Sequence, residues 1–361
     1  MAAPGTPRQP RAPHLAYVID PRFSGGTSAA VAAELRVAAR LARVTVHARS
    51  SAMLGPERQV APPLREVLDD LGLPLEWNAA EISADLVLLH NPVFLKAQPS
   101  FGGRIVARHL VVVAHENFLR PGGAEGFDVA ACLDRIDRAS LALSKSIAPV
   151  SAHNRATVTD WLASRPGRPC WKVLEADWFN ICEMPRTAPA VLPRDRRGRH
   201  SRPSFEKFPP LADLDRCFPP HAEANVILGA DMLLAAEVLR PHWTLLPFRA
   251  IGVEAFFGMI DFLVYFTAPT WRESFGRVIA EALAAGKVVL TDPETGAAFG
   301  PGVVACTPAE VDGAIARLVA DPAAYAAQAA RGQAALDRYS ETAFSARFEA
   351  LISGELQGRA A

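Results

Sequence analysis

Two glutamates, Glu273 and Glu281, are separated by seven residues in a segment with the pattern of a helix. On a helix this spacing corresponds to about two turns and about 12 Å of rise, so the two carboxylates can contact different parts of one elongated ligand. The first can accept hydrogen bonds from sugar hydroxyls, and the second from the diol of a ribose. Glutamate is also common on exposed helix faces, so the pair alone is compatible with an ordinary surface helix.

The start of this predicted helix is suited to an anion. Ser274 is predicted to cap it, and Gly286 to end it in a left-handed conformation. The free backbone amides of Phe275 and Gly276, with the positive end of the helix dipole, form a site suited to a diphosphate. Gly276 has no side chain that would obstruct close approach.

A basic segment, Arg196–Lys207, is predicted to be a loop that follows the first strand of the C-terminal half, which is expected at residues 190–192. Its cations Arg199, Arg202 and Lys207 can neutralise a diphosphate leaving group, arginine through a bidentate fork and lysine as a point charge. By itself the segment is also compatible with a solvated basic hinge or a nonspecific patch for polyanions.

In the N-terminal half, glycines and histidines follow predicted strands. Gly25 and Gly26 come after the first strand and permit a tight turn, but they do not form the G-x-G-x-x-G dinucleotide fingerprint. His115 ends a strand, where its side chain would enter a ligand cleft, and His90 ends the preceding strand. We take both histidines as candidates for contacting an acceptor, although a single histidine is often structural.

These residues must be positioned by strands and helices that alternate, which is the pattern of parallel sheets covered by crossover helices. Three prolines in residues 184–193 indicate a hinge between two domains. The sequence therefore predicts a disordered leader (1–13), an N-terminal Rossmann-like domain (14–188), a C-terminal Rossmann-like domain (189–340), and a final helix (341–361) that packs back on the first domain. The predicted strands are 14–19, 44–48, 86–89, 110–114, 147–150 and 171–174, then 190–192, 226–228, 243–247, 262–266, 288–291 and 303–306.

Composition excludes several kinds of partner. The chain has 361 residues, of which 50% are hydrophobic, and 38 basic residues balance 38 acidic ones. This balance gives no reason to expect nucleic acid as a partner. The five cysteines are scattered, so neither a metal knuckle nor a redox motif is expected, and the cytoplasm is the expected location. The longest apolar run is interrupted by acids, so no transmembrane segment is predicted.

The segment from Glu273 to Glu281, with its Phe-Gly pair and its small-residue exit, resembles the Glu-x7-Glu signature of retaining GT-B glycosyltransferases. These are the family-4 and glycogen-synthase-like enzymes, also called glycosyl transferases group 1. The resemblance implies the GT-B fold, α/β with two Rossmann-like doubly wound domains facing across a cleft. It also implies that Glu273 contacts the donor sugar and Glu281 the ribose of a nucleotide sugar.

The same resemblance assigns roles to other positions. Arg202 and Lys207 match a basic pair that stabilises the leaving diphosphate, with Arg199 as a substitute for the arginine. The Gly25–Gly26 loop would approach the donor phosphate and the acceptor, and His115 would contact one of the two sugars. The nucleobase would lie near Pro247. Relatives have a Gly-Gly turn before an acidic residue where this chain has residues 292–300, so the sugar is not readable from the sequence.

We therefore predict a glycosyltransferase that retains the anomeric configuration and needs no metal and no cofactor beyond its nucleotide-sugar co-substrate. The acceptor, a sugar, lipid, peptide or small molecule, is not specified. Two alternatives share the fold: a nucleotide-sugar 2-epimerase, which needs an internal acid and base but no acceptor, and a binding protein without turnover. A nicotinamide-dependent dehydrogenase is disfavoured because the first turn lacks the glycine fingerprint.

Overall fold

The computed structural model of the protein describes residues 12–23, 25–165, 171–182 and 184–353. These residues form two parallel sheets, each covered by helices, which confirms the predicted α/β class and its two Rossmann-like halves. Most of the predicted leader and the last eight residues of the predicted final helix segment lie outside the described residues.

The first sheet contains, within the described residues, seven parallel strands in the order β3-β2-β1-β4-β5-β6-β7. Alternate residues of β1 face opposite sides, because Leu15 and Tyr17 belong to one core cluster and Ala16 and Val18 to another. The strands are β1 (His14–Ile19), β2 (Arg43–Ala48), β3 (Leu75–Trp77), β4 (Glu81–His90), β5 (Arg104–Ala114), β6 (Ser140–Pro149) and β7 (Trp171–Val173). The helices are α1 (Gly26–Leu41), α2 (Pro62–Asp70), α3 (Val129–Ala139) and α4 (Ala152–Ala163).

The second sheet has six parallel strands in the order β10-β9-β8-β11-β12-β13, counted over the same described ranges. Its strands are β8 (Arg196–His200), β9 (Ala224–Leu228), β10 (Thr244–Leu246), β11 (Phe262–Tyr265), β12 (Val288–Thr291) and β13 (Val304–Ala305). Its helices, with the final one, are α5 (Leu211–Cys217), α6 (Asp231–Ala235), α7 (Val253–Gly258), α8 (Arg277–Ala284), α9 (Pro293–Gly296), α10 (Val311–Ala320), α11 (Pro322–Ala335) and α12 (Glu341–Leu351). Short 3-10 turns lie at Pro92–Leu95, Phe205–Lys207, Gly300–Gly302 and Asp337–Tyr339.

The first strand of the second sheet differs from the prediction. Residues 190–192 are not a strand, and Val191 and Leu192 are exposed. Instead β8 begins inside the segment predicted as a loop, and it lies between β9 and β11. Acids meet two of its arginines: the buried Arg197 pairs with Asp195 and Asp312 at 2.6 and 2.7 Å, and the half-buried Arg196 pairs with Asp261 at 2.8 Å. The sequence pattern also missed β3, an edge strand of three residues.

Gly198 lets this strand pack against α7. A Cβ atom at Gly198 would lie 2.7 Å from the side chain of Ile260 and 3.0 Å from that of Phe256. The first distance is shorter than a Cβ atom tolerates and the second is unusually tight, so a larger residue would force these two side chains to shift.

The connection between the domains runs along α8, where the amide of Thr187 donates to the carbonyl of Ala284 at 3.0 Å. The predicted boundary at 188/189 falls in this connection, after β7 and before β8. Helix α12 then returns to the first domain. Its Phe344 packs edge-on against Trp178, with ring centroids 5.3 Å apart, and Glu341 pairs with Arg40 of α1.

Candidate active site

Lys207 and Glu273 meet at the carboxyl edge of the second sheet. Lys207 Nζ lies 2.5 Å from Glu273 Oε1, and the hydroxyl of Tyr265 donates to the same oxygen at 2.6 Å. Lys207 ends the 3-10 turn that follows β8, and Glu273 lies in the loop that follows β11. The two loops are tied together, because the amide of Ala268 donates to the carbonyl of Glu206 at 3.1 Å.

The Glu273 carboxylate is charged at neutral pH. Burial by itself raises its pKa, but the charge and hydrogen bond of Lys207, the hydroxyl of Tyr265 and the charge of Arg202 together outweigh burial. The pKa of Glu273 therefore lies below its ordinary value of 4.5. The result is a carboxylate with a fixed position that can still accept hydrogen bonds from a ligand.

Arg199 lies behind the Lys207–Glu273 pair, inside the second domain. Its guanidinium is fully buried, donates to the carbonyls of Phe266 at 2.9 Å and of Lys207, and stacks over the ring of Phe208 at 4.2 Å. Burial lowers its pKa. Arg199 was predicted as a possible substitute for the arginine that contacts the donor. The structure does not place it there, because its guanidinium is held by carbonyls inside the domain and does not reach the cleft.

The start of α8 is formed by Gly276, which adopts a left-handed conformation with φ of 85°. Among the described residues, the amides of Phe275 and Gly276 have no acceptor. The prediction that Ser274 caps the helix is wrong, because its hydroxyl donates to the carbonyl of His115 at 2.6 Å. Gly286 does end the helix with a positive φ of 67°, as predicted.

Phe275 has a structural role that the sequence did not reveal. Its ring is 5% exposed and packs against Tyr339 and Phe299, with centroids 5.1 and 5.9 Å away. The side chain therefore anchors the loop between β11 and α8 to the chain that leads into α12. Only the backbone amide of Phe275 is left for a ligand.

A cavity of about 430 Å³ lies beside the first turns of α8. Glu281 and Arg277 line one wall, where they form an ion pair of 2.8 Å, and Gly252 and Glu254 at the start of α7 line another. Pro247 is exposed at the end of β10 and is not among the residues that line the cavity.

Across the cleft, Gly25 precedes the first residue of α1 and faces Arg202. A Cβ atom at Gly25 would lie 3.8 Å from Cδ of Arg202, whereas Gly26 has open space around it. The structure thus brings the predicted glycine loop of the first domain to a predicted cation of the second.

His115 directly follows β5 and is 7% exposed, and burial lowers its pKa to about 3, so the ring is neutral. His90 Nδ1 lies 3.1 Å from His115 Nε2. The predicted acceptor contact for His90 does not match its location, because its side chain is fully buried behind His115.

Three hydrogen bonds join His115 and its neighbours to the loop that carries Glu273. Besides the bond from Ser274 to His115, Asn117 Nδ2 donates to the carbonyl of Arg272 at 3.0 Å. Ser151 donates to the carbonyl of Ser274. The two domains therefore meet at His115 and at the loop of Glu273, both of which were predicted from the sequence to belong to the site. These contacts set the distance between the two walls of the cleft.

Sequence reasoning gave no specific role to several residues of the cleft. Glu116, next to His115, has a pKa raised by burial and lowered in part by Lys207 and Arg202. The ring of Trp271 lies 4.9 Å from both Lys207 Nζ and Arg120 Cζ. Trp271 lies only two residues before Glu273, but its contact with Lys207 joins two separate loops.

A second cavity, of about 190 Å³, opens between the domains beside these residues. Glu116 and Arg120 line it from the first domain, and Glu206 and Trp271 from the second. An ion pair of 2.5 Å between Arg120 and Glu206 crosses it.

No group of three or more potential metal-ligating side chains occurs in the part of the chain that the structure describes. None of the helices among those residues is long and apolar enough to cross a membrane.

Comparison with solved structures places this geometry in a known fold. The chain superposes on Anabaena HepE, solved with UDP and glucose, with a TM-score of 0.65 at 17% identity over 94% of this chain and 99% of that one. The protein has the GT-B fold. A glycosyltransferase from Rickettsia africae superposes with a TM-score of 0.59 at 12% identity, covering 96% of this chain and 100% of that one. OtsA in its apo form gives a TM-score of 0.58 at 13% identity, with the same coverage.

At these identities the likeness establishes the fold only. No protein-family model matches the chain, and no curated protein matches it in sequence. The chemistry must therefore be argued from the site.

Proposed function

We propose that this protein is a glycosyltransferase that takes a sugar from a nucleoside diphosphate sugar bound to its second domain. The observation that carries the proposal is the Lys207–Glu273 ion pair of 2.5 Å at the carboxyl edge of the second sheet. A charged carboxylate at this place can accept hydrogen bonds from the hydroxyls of a sugar. The ammonium beside it can neutralise the phosphate that leaves.

The diphosphate would lie between Lys207, Arg202 and the start of α8. Arg202 adds a second cation opposite the Gly25 loop. The amides of Phe275 and Gly276, which have no acceptor in the described part of the chain, add two donors. Together these groups can stabilise the charge that develops on the leaving group. Their charge also supports transfer without a metal ion.

The nucleoside would lie in the cavity of about 430 Å³ beside α8. Glu281 lines this cavity and can accept hydrogen bonds from a ribose diol once the ribose competes with Arg277 for it. We propose a uridine nucleotide, because HepE was solved with UDP and with UDP-glucose, and an α-glucosyltransferase of TM-score 0.56 was solved with UDP.

We further propose that the anomeric configuration is retained, as in the glycosyl transferases group 1 that the Glu-x7-Glu segment resembles. The acceptor hydroxyl would approach from the cavity lined by Glu116 and Trp271, on the face from which the diphosphate leaves. His115 lies at the junction of the two walls, where the hydroxyl of Ser274 donates to its carbonyl.

Nucleotide binding is tested first. Thermal unfolding is measured with UDP, ADP, GDP and UDP-glucose, since a ligand of the native state raises the melting temperature by mass action. We expect UDP and UDP-glucose to stabilise the protein and ADP and GDP to do so less. Transfer from UDP-glucose is then assayed with sugar and lipid acceptors, and NMR reads the anomeric configuration of the product.

Glu281→Gln tests the assignment of the nucleoside cavity. Losing hydrogen bonds to a charged carboxylate should weaken UDP binding by about tenfold to a hundredfold. Glu66→Gln, at an exposed position of α2 that lines neither cavity, is the matched control and should bind UDP within about twofold of wild type. Equal affinity of wild type and Glu281→Gln, or an epimer formed from UDP-glucose without an acceptor, would contradict the proposal.

A further inference from the structure

Arg277 is the first residue of α8 and lines the cavity of about 430 Å³. Among the described residues that line this cavity it is the one cation, and Glu254 and Glu281 are the acids. Its Nε donates to Glu281 Oε1 at 2.8 Å, so the two side chains meet on the same face of the helix, one turn apart. Along the helix, Arg277 therefore lies between the free amides at its start and the carboxylate proposed to hold the ribose.

Helix stability does not account for an arginine at this position. The positive end of the helix dipole lies at the first turn, where a cation is unfavourable. In an isolated helix, an acid four residues before a base stabilises more than the reverse order, and here Arg277 precedes Glu281. An anionic ligand at the helix start would reverse this balance, because the dipole and the guanidinium would then both attract it.

The guanidinium also has donors that the protein does not use. Its five N–H bonds lie in one plane. Nε donates to Glu281, whereas Nη1 is shielded from solvent and has no acceptor in the described part of the chain. Phe275, whose amide likewise has no acceptor among those residues, lines the same cavity. Free donors of a side chain and of the backbone thus occur together at the start of α8.

A nucleotide carries its polar groups in the matching order. If the ribose diol meets Glu281 and the diphosphate meets the amides of Phe275 and Gly276, the phosphate attached to the ribose lies between them. Arg277 and Glu281 are separated by about 6 Å along the helix axis. A ribose diol and the phosphate on its 5′ carbon are separated by a similar distance, so one ligand can engage both side chains.

We propose that Arg277 binds the phosphate attached to the ribose of the donor, and that it exchanges Glu281 for this phosphate when the ribose diol engages the carboxylate. A ligand with both groups replaces the internal ion pair by two contacts. A ligand with the diol alone breaks the pair and leaves the guanidinium without a partner. Arg277 is thus a specificity-determining residue that favours a nucleotide over a nucleoside. The inference rests on the proposed nucleotide site, but not on sugar transfer.

The test compares the affinities of uridine, UMP and UDP for wild type and Arg277→Met, measured by calorimetric titration. The affinities for UMP and UDP should fall by about tenfold to a hundredfold, because a hydrogen bond between two charged groups is lost. The affinity for uridine should not fall, because Glu281 no longer has to leave a partner. Arg277→Lys should restore part of the UMP affinity, since it keeps the charge but not the planar fork.

Arg216→Met is the matched control. Arg216 also pairs with an acid of its own helix, Asp213 at 2.8 Å, but it lines neither cavity. This variant should leave all three affinities within about twofold of wild type. Equal losses of uridine and UMP affinity in Arg277→Met would show that Arg277 only positions Glu281, and they would overturn the inference. A UMP affinity of Arg277→Met equal to that of wild type would also overturn it.

These measurements separate the role of Arg277 from the proposed function. If the affinities change as expected but wild type transfers no glucose from UDP-glucose, the transferase function fails and the role of Arg277 stands. If wild type transfers glucose and Arg277→Met binds UMP equally well, the role of Arg277 fails and the transferase function stands. If UMP and UDP bind to none of the proteins, both are overturned.

Discussion

The two walls of the cleft are supported from behind in different ways. On the first domain, His115 is backed by His90 and Glu34, which are fully buried; burial raises the pKa of Glu34 and lowers that of His90, which favours the uncharged form of each. On the second domain, Lys207 is backed by Arg199, a buried cation held by two carbonyls and two aromatic rings. Both supports consist of fully buried polar groups directly behind a residue of the cleft.

The difference corresponds to what each wall has to hold. A neutral chain can fix the direction of a hydrogen bond without adding charge. A buried guanidinium fixes backbone carbonyls, since its five donors lie in one rigid plane, and it keeps the loop of Lys207 beside Glu273. Removal of the charged support should therefore cost stability, whereas removal of the neutral support should alter chemistry with little effect on folding. The following predictions test this contrast, in order of decreasing effect.

Lys207→Met should have the largest effect on function. Loss of the cation that faces the leaving diphosphate should reduce turnover of UDP-glucose by about 10²–10³-fold. Lys172→Met, which removes an exposed lysine of β7, is the control and should retain wild-type turnover. Comparable rates for wild type and Lys207→Met would show that Lys207 does not act on the leaving group.

Arg199→Met should have the largest effect on stability. It leaves the carbonyls of Phe266 and Lys207 without their donor, which should lower the free energy of unfolding by about 2 kcal/mol. Arg199→Lys should recover only part of this loss, because an ammonium cannot reproduce the planar fork. Denaturant unfolding measures both, with the exposed Arg216→Met as the control. Wild-type stability in Arg199→Met would remove the contrast between the two supports.

Glu273 should make unfolding depend on pH. Because its pKa in the folded protein lies below the ordinary 4.5, its contribution to stability is fully present above that value and is lost as pH falls through the folded-state pKa. Glu273→Gln should lack this component. In Lys207→Met the strongest opposing charge is gone, so the carboxyl should take up its proton at a higher pH than in wild type. Stability curves of wild type and both variants, measured from neutral to acidic pH, check the sign.

Glu34→Met should have the smallest effect on stability, with a free energy of unfolding within about 1 kcal/mol of wild type. The reason is that methionine fills similar space and removes a buried acid that lacks full hydrogen bonding. Equilibrium unfolding in urea provides the value. A loss as large as that of Arg199→Met would mean that Glu34 is an ordinary structural residue.

The sequence was informative where apolar runs and local turn chemistry decide the structure. Strands β1 and β12 have the predicted bounds because each is apolar almost throughout and buried on both faces. The helix with Glu281 and its end at Gly286 followed from local spacing in the same way. The roles of Glu273, Arg202 and Lys207 stay predictions, although the structure brings them to one edge.

Strand β8 shows why the remainder was not predictable. Its residues are Arg, Arg, Gly, Arg and His, which no pattern of strands suggests. They fit the middle of a sheet only because Asp261 and Asp312 approach Arg196 and Arg197 from other segments. The third arginine, Arg199, donates to the carbonyl of Phe266, which is also distant in the chain. The same limit applies to Ser274, whose hydroxyl has an acceptor on the other domain and therefore does not cap its own helix.

The sequence alone determined the class of fold, the two halves, and the segments that carry acids and cations, because periodicity and short spacings are properties of neighbouring residues. Only the tertiary structure decided which polar side chains face the cleft and which support it from within. Arg199 and His90 have residue types that suit a ligand, yet both are buried, since their partners belong to segments distant in the chain. The free energy of burying a polar group depends on those partners, and they come together only when the chain folds.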